Sequence, residues 1–199
     1  DLMLTLARMQ FNYGNTASAE QLVKESLAIS DAVLSPKEEQ WLETRRGWAG
    51  ILMRKPGQSA EAVEFLADAI KQHRQAGARD NATLGEALRM LGFLYFSVGQ
   101  PVTAVGAAHD GLEVTRRSSG VSQKQLQQAL HRYLGLLNMT NHWAEAGSIV
   151  DENLRLAEQL YGKQHQEYAN AAILKAEYLN GALRRFDEAE KMAREATAV

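Results

Sequence analysis

The sequence contains no cysteine. This absence excludes disulfides, thiolate metal ligands and cysteine nucleophiles, and it fits a reducing or an oxidising compartment equally well. Proline is nearly as scarce, with three residues in 199. No stretch alternates apolar and polar residues with the valine, isoleucine and threonine enrichment that is typical of a strand. Both features favour an all-α fold.

Long apolar runs and an excess of charge are also missing. No run approaches the roughly 18 apolar residues of a membrane span, and no signal peptide opens the chain. A net charge of −2 offers no concentrated basic surface for nucleic acid. Because the first residue is Asp1 and not methionine, we expect a fragment of a longer protein. We therefore expect a soluble domain with no nucleic-acid partner and no membrane contact of its own, in the cytoplasm or periplasm depending on the parent protein.

Motifs for metal binding and catalysis are lacking as well. The five histidines include no pair four residues apart, and no H-E-x-x-H, G-x-S-x-G or glycine-rich phosphate loop occurs. His109-Asp110 lacks the further histidines and aspartate of a helical phosphohydrolase site, so we interpret it as a surface feature of a helix. The sequence predicts no catalytic residue, no metal site, no cofactor and no enzymatic activity.

What the sequence does contain is an internal repeat. Ala62, Ala104 and Ala146 lie 42 residues apart, and Ala19 and Ala189 extend the series in steps of 43. Glycines lie five residues before Ala19, Ala62 and Ala104, and apolar residues lie eight residues after these three alanines and after Ala146. Several independent columns with one period establish a repeat architecture.

Each unit of the repeat predicts two helices. Leucines, Tyr95 and Val98 fall three to four residues apart on one face of 84–98, and a second apolar face follows Pro101. Ser35 with Glu38 and Ser122 with Gln125 have the spacing of capping boxes, Asn15 and Asn141 are expected N-caps, and Gly77, Gly120 and Gly162 are expected to close helices. We predict one domain over 1–199 with ten helices, paired as 1–13 with 16–34, 36–55 with 58–76, 80–98 with 101–118, 122–140 with 142–161, and 165–182 with 186–198. The corresponding units are 1–34, 36–76, 80–118, 122–161 and 165–199, and the register of the first helix in the fifth unit stays open.

The third unit carries the motif Leu88-x2-Leu91-Gly92-x2-Tyr95, followed by Gly99 and Ala104. This pattern resembles the tetratricopeptide repeat, and its unusual length of 42 to 43 residues is similar to the kinesin-light-chain type. The resemblance implies a right-handed superhelical solenoid of about five helix-turn-helix units. It also implies a sensor or docking module of a larger, bacterial, signalling protein.

The resemblance further implies that the first helix of each pair lines a concave groove. The positions that packing leaves free there are the candidate partner-binding residues: Arg8, Phe11, Asn12, Trp48, Ile51, Arg54, Arg89, Met90, Phe93, Phe96, His131, Arg132 and Asn138. Arginines beside aromatic residues suit a protein or peptide that carries carboxylates and apolar side chains. The residues that grip a C-terminal carboxylate in chaperone-binding relatives are not matched.

Two alternatives stay open beside the protein- or peptide-binding hypothesis. The domain could sense a small ligand or signalling peptide, or it could serve self-association. The identity of the partner, the parent protein and the oligomeric state are not fixed by these residues.

Overall fold

The computed structural model describes residues 2–197. Within that range the chain forms ten α-helices and no strand, as the repeat pattern predicts. The helices are α1 Leu2–Asn12, α2 Thr16–Val33, α3 Glu39–Leu52, α4 Ser59–Gln75, α5 Ala82–Ser97, α6 Pro101–Arg117, α7 Gln123–Thr140, α8 Gly147–Tyr161, α9 Gln166–Gly181 and α10 Phe186–Thr197. The predicted helix ends at residues 1 and 198 lie outside the described residues.

The helices belong to two compact units, the first ending at Ser118 and the second beginning at Ser119. In the first unit each helix packs against its neighbours in sequence, and α3 also packs against α5. In the second unit α7 packs against α8, α8 against α9, and α9 against both α7 and α10. The prediction of a single domain over 1–199 is not tested by this division.

The pair α5 and α6 shows why the repeat needs small residues. A Cβ added to Gly92 would lie 2.8 Å from the carbonyl oxygen of Ala104, and one added to Gly111 would lie 2.8 Å from that of Gly85. Two backbones approach this closely only where side chains are absent or minimal. Leu84, Leu88, Leu91 and Leu94 of α5 belong to a core cluster with apolar residues of α3 and α4 and with Val114 of α6.

Two of the predicted helix starts need correction. Ser35 and Glu38 form one of the two bonds of a capping box: the Ser35 backbone N–H donates to Glu38 Oε1 at 2.8 Å, whereas Ser35 Oγ accepts from Lys37 N–H at 3.1 Å and not from Glu38 N–H. Glu38 is extended, however, with φ −81° and ψ 138°, so α3 begins at Glu39 rather than at 36. His73 of α4 donates from Nδ1 to the Pro36 carbonyl oxygen at 2.6 Å, which occupies an oxygen that a helix would use.

The prediction that Asn141 is an N-cap was wrong. Asn141 ends α7 with φ 56°, a 3₁₀ turn follows over Trp143–Glu145, and α8 begins at Gly147. Glycines hold the equivalent left-handed position in the first three pairs, and Arg184 holds it in the fifth with φ 52°. Asn15 precedes α2 without a capping bond from its side chain. The capping box of Ser122 with Gln125, and the positive φ of Gly77, Gly120 and Gly162, agree with expectation.

Candidate functional site

The first unit has a groove of about 350 Å³, which is lined mainly by α1, α3 and α5, the first helix of each of its three pairs. We call it the arginine groove. It is lined by Leu4, Ala7, Arg8, Phe11 and Asn12 of α1, Val23 of α2, Glu43, Arg46, Gly47, Gly50 and Ile51 of α3, Met53 and Arg54 just after α3, and Met90 of α5. Six of the thirteen predicted residues therefore share one concavity: Arg8, Phe11, Asn12, Ile51, Arg54 and Met90.

Missing side chains on α3 create the space in this groove. A Cβ at Gly47 would lie 2.9 Å from Leu4 Cδ2, and one at Gly50 would lie 3.7 Å from Met90 Cε. These glycines are three residues apart on the face that meets α1 and α5, so neighbouring side chains approach the α3 backbone directly. The floor of the groove is accordingly apolar, with Leu4, Ala7 and Ile51 buried.

Two arginines of the groove have no ionic partner among the described residues. Arg8 and Arg54 are exposed, and no carboxylate within residues 2–197 pairs with either of them. The guanidinium carbon of Arg54 lies 4.6 Å from the centroid of the Phe11 ring. Arg8 lies one helical turn before Phe11 on α1 and lines the same groove. Their positive charge is therefore available to a ligand.

A third arginine in the groove is already neutralised. Arg46 donates from Nε to Glu43 Oε2 at 2.8 Å and from Nη2 to Oε1 at 2.5 Å. Burial alone would lower the pKa of Arg46, but the Glu43 and Glu86 carboxylates together raise that pKa above its ordinary value. Glu43, Arg46, Gly47 and Gly50 were not among the predicted site residues. The three-residue spacing of Glu43 and Arg46 is typical of an ion pair on a helix and could have identified these two residues.

The other predicted residues of the first unit lie outside the arginine groove. Trp48 is half-buried, packs against two core clusters and has Lys24 Nζ 5.5 Å from its ring centroid. Arg89 pairs with Glu86 on its own helix at 2.7 Å. Phe93 and Phe96 are half-buried on α5. None of these four residues lines the groove.

The remaining three predicted residues belong to the second unit. His131 is half-buried, and its Nδ1 is buried without a hydrogen-bond partner among residues 2–197. Desolvation lowers the pKa of His131, with a smaller opposing effect from Glu167. Asn138 donates from Nδ2 to Glu177 Oε2 at 2.8 Å, whereas Arg132 is exposed. None of these three residues is among those that line the arginine groove.

Other kinds of site are not evident in the described part of the chain. Among residues 2–197, no group of three histidine, aspartate or glutamate side chains is placed to hold a metal ion. No helix in that range is long and apolar enough to cross a membrane.

The helix pairs, their small-residue contacts and the groove along the first helices define a tetratricopeptide-type repeat fold. The chain is similar to solved kinesin-light-chain TPR-like repeats of Podosopora anserina, with 17% identity over 98% of this chain and 92% of that chain and a TM-score of 0.80. It is similar to BtubC (BKLC) from P. vanneervenii, with 18% identity over 98% of this chain and 77% of that chain and a TM-score of 0.83. These similarities confirm the predicted tetratricopeptide-type repeat fold.

A Rap protein solved in complex with Competence and Sporulation Factor is also similar in fold. Identity is 15%, the match covers 98% of this chain and 52% of that chain, and the TM-score is 0.69. No protein-family model and no curated protein sequence matches this chain. At these identities the likeness concerns the fold alone.

Proposed function

We propose that the arginine groove binds a peptide segment that carries carboxylates next to apolar side chains, and that the domain is the non-enzymatic docking or sensor module of a larger signalling or regulatory protein. The observation that carries this proposal is the placement of Arg8 and Arg54. Both are exposed and lack a carboxylate partner within residues 2–197, and both line the groove above its apolar floor, Arg54 over the ring of Phe11.

The energetics favour a ligand with both kinds of group. Hydrogen bonds between arginine and carboxylate are charge-assisted and geometrically specific. Each contributes about 1.5–3 kcal/mol net. An apolar side chain on the floor beside Ile51 and Met90 would remove further surface from water. Arg46 contributes less, because Glu43 already occupies its guanidinium.

The side chains of the groove also support a binding role over a catalytic one. Among residues 2–197, Glu43 is the one carboxylate that lines the groove, and both of its oxygens accept from Arg46. A general base needs a free acceptor within reach of a substrate proton. Arginine stays protonated and cannot take that role.

The direct test is binding of an array of acetylated hexapeptides that combine glutamate with leucine, phenylalanine or methionine. Each peptide is paired with a copy in which glutamine replaces glutamate. We expect the full chain to bind the acidic series, and Arg8→Gln or Arg54→Gln to weaken that binding by about 10- to 100-fold. Arg155→Gln on α8 makes the same change of charge in the second unit and should leave binding unchanged.

Two results would overturn the assignment of the groove. One is equal binding of the acidic peptides and their glutamine copies. The other is an equal affinity of the parent chain and both groove variants for the acidic peptides.

The size of the groove supports a second candidate, a sensor for a small carboxylate ligand. Its volume of about 350 Å³ lies at the lower end of the range of small-molecule pockets. A thermal-shift screen with free mono- and dicarboxylic acids separates the two candidates. A rise in the melting temperature that Arg8→Gln abolishes, without any binding on the peptide array, would favour the small-ligand sensor.

A further inference from the structure

The arginine groove differs in charge between its two ends. Arg46 on α3 and Arg54 just after it both line the groove, and Gly47 and Gly50 lie between them. At the rise of a helix, the eight residues from one arginine to the other span about 12 Å. Arg54 has no carboxylate partner within residues 2–197, whereas Arg46 is paired with Glu43. We call these two parts of the groove the Arg54 end and the Arg46 end.

The contact between Glu43 and Arg46 has the geometry of a bound ligand. Both carboxylate oxygens of Glu43 accept from one guanidinium, Oε2 from Nε at 2.8 Å and Oε1 from Nη2 at 2.5 Å. A guanidinium recognises the carboxylate of a ligand through the same two parallel bonds. The side chains of Arg46 and Glu43 are only 20% and 26% exposed, so water has limited access to the pair. Glu43 therefore occupies the place that a ligand carboxylate would take at the Arg46 end.

A ligand carboxylate would have to displace Glu43, and the surroundings oppose that exchange. Glu43 lies three residues before Arg46 on the same helix, so it stays within reach of the guanidinium and competes as an intramolecular partner. Glu86 of α5 adds a second negative charge: burial lowers the pKa of Arg46, but Glu43 and Glu86 together raise that pKa. A ligand carboxylate at this end would therefore meet two carboxylates of the chain, and like charges repel.

We propose that Glu43 is a specificity-determining residue, which limits the arginine groove to peptides with an acidic residue at one end of their apolar segment and an uncharged residue at the other. The acidic residue pairs with Arg54 and Arg8, and the uncharged residue lies beside Glu43. An extended peptide covers about 13 Å in four residues. A peptide with an acidic residue on each side of three apolar residues would therefore reach both ends, and this diacidic peptide is the ligand that Glu43 excludes. The inference rests on the proposed function, because it concerns peptides bound in the same groove.

Four acetylated and amidated peptides test the proposal. Each has a core of leucine, phenylalanine and leucine, which is flanked by glutamate on both sides, on the first side only or on the last side only, or by glutamine on both sides. Isothermal titration calorimetry measures the affinity of the full chain for each peptide. We expect the diacidic peptide to bind the parent no more tightly than the better of the two monoacidic peptides.

Removal of the Glu43 carboxylate should reverse this order. Glu43→Gln leaves Arg46 with a neutral partner that a carboxylate can displace. The diacidic peptide should then bind at least about tenfold more tightly than the better monoacidic peptide, because it gains a charge-assisted contact with Arg46. Glu43→Ala, which also removes the carboxylate, should show the same gain.

Two control variants show whether this gain comes from Arg46. Glu43→Gln combined with Arg46→Gln should lose the gain, because no guanidinium remains at that end of the groove. Glu113→Gln makes the same change in an ion pair of the same spacing on α6, where Glu113 and Arg116 lie 3.0 Å apart outside the groove. This variant should keep the parent's order of affinities.

The outcomes separate this proposal from the assignment of the groove. A parent chain that binds the diacidic peptide about tenfold more tightly than either monoacidic peptide overturns the role of Glu43. So do Glu43→Gln and Glu43→Ala variants that keep the parent's order of affinities. If the glutamine-flanked peptide binds the parent as tightly as the monoacidic peptides do, the arginine groove itself is misassigned, and the role of Glu43 is refuted with it.

Discussion

Arg54 lies over the ring of Phe11, with 4.6 Å between the guanidinium carbon and the ring centroid. This contact joins the turn after α3 to α1 and so connects two repeats across the arginine groove. It also holds a cation at the groove without neutralising it, because an aromatic face attracts the guanidinium but leaves its N–H donors free for a carboxylate.

The first prediction concerns the strength of this contact. A double-mutant cycle with Phe11→Leu and Arg54→Gln should give a coupling energy of about 0.5–1 kcal/mol in urea unfolding, the size usual for an exposed cation–π pair. The matched cycle of Phe11→Leu with Arg8→Gln should give a coupling near zero, since no contact of Arg8 with that ring occurs within residues 2–197. Equal coupling in the two cycles would contradict the geometry.

The second prediction separates two glycines in the same helix pair. Gly92→Ala should destabilise the first unit by about 1–3 kcal/mol through overpacking, because its Cβ would meet the Ala104 carbonyl at 2.8 Å and Ala108 Cβ at 3.0 Å. Gly106→Ala on α6 meets nothing within 4 Å. It should instead stabilise the helix by roughly 0.5–1 kcal/mol, since alanine loses less conformational freedom on folding. Urea unfolding of both variants decides the matter, and a change of the same sign in both would refute this account.

The repeat made most of the fold predictable, because side-chain periodicity and small-residue columns are local signals summed over five copies. The two misplaced helix starts show where local signals end. The Ser35 backbone N–H bonds to Glu38 as a capping box requires, yet α3 starts later, and the Pro36 carbonyl is bonded to His73, 37 residues away. A contact at that sequence distance cannot be predicted from a capping motif, which spans only a few residues.

For the candidate site, the repeat predicted only the face of the helix on which a residue lies. Trp48 and Met90 occupy one repeat column, 42 residues apart. Met90 lines the arginine groove, whereas Trp48 packs against the core clusters beside Lys24. The column fixes the direction of a side chain, but the neighbours decide whether it is covered. Arg89 does not line the groove, and it pairs with Glu86 on its own helix.

The third prediction follows from the turn between the two helices of a pair. Arg184, with φ 52°, occupies the position that a glycine takes in the first three helix pairs. A residue other than glycine costs about 1–2 kcal/mol in the left-handed conformation. Replacing it by glycine removes that cost, but the greater freedom of glycine in the unfolded chain offsets roughly 0.5–1 kcal/mol of the stabilisation. Arg184→Gly should therefore stabilise the second unit by about 0.5–1 kcal/mol. Asn141→Gly should change stability little, because asparagine tolerates this region. Thermal unfolding tests the order of the two effects, and a loss of stability in Arg184→Gly would contradict it.

The last prediction concerns the pH dependence of the second unit. Burial raises the pKa of Glu177, and the hydrogen bond from Asn138 opposes that rise. A carboxyl group with a raised folded-state pKa binds its proton more tightly in the folded state than in the unfolded state. Its contribution to stability is therefore full below the ordinary glutamate pKa, and it is lost as the pH rises through the folded-state pKa.

Glu177→Gln removes this titration and keeps an oxygen that can accept from Asn138. The variant should be more stable than the parent at neutral pH, and the difference should vanish as the pH falls below about 4, where both states of the parent are protonated. Asn138→Ala removes the group that opposes the shift, so its stability should fall more steeply with rising pH than that of the parent. Melting temperatures measured across this range test both expectations. A constant difference between Glu177→Gln and the parent at every pH would mean that Glu177 titrates as it does in the unfolded chain.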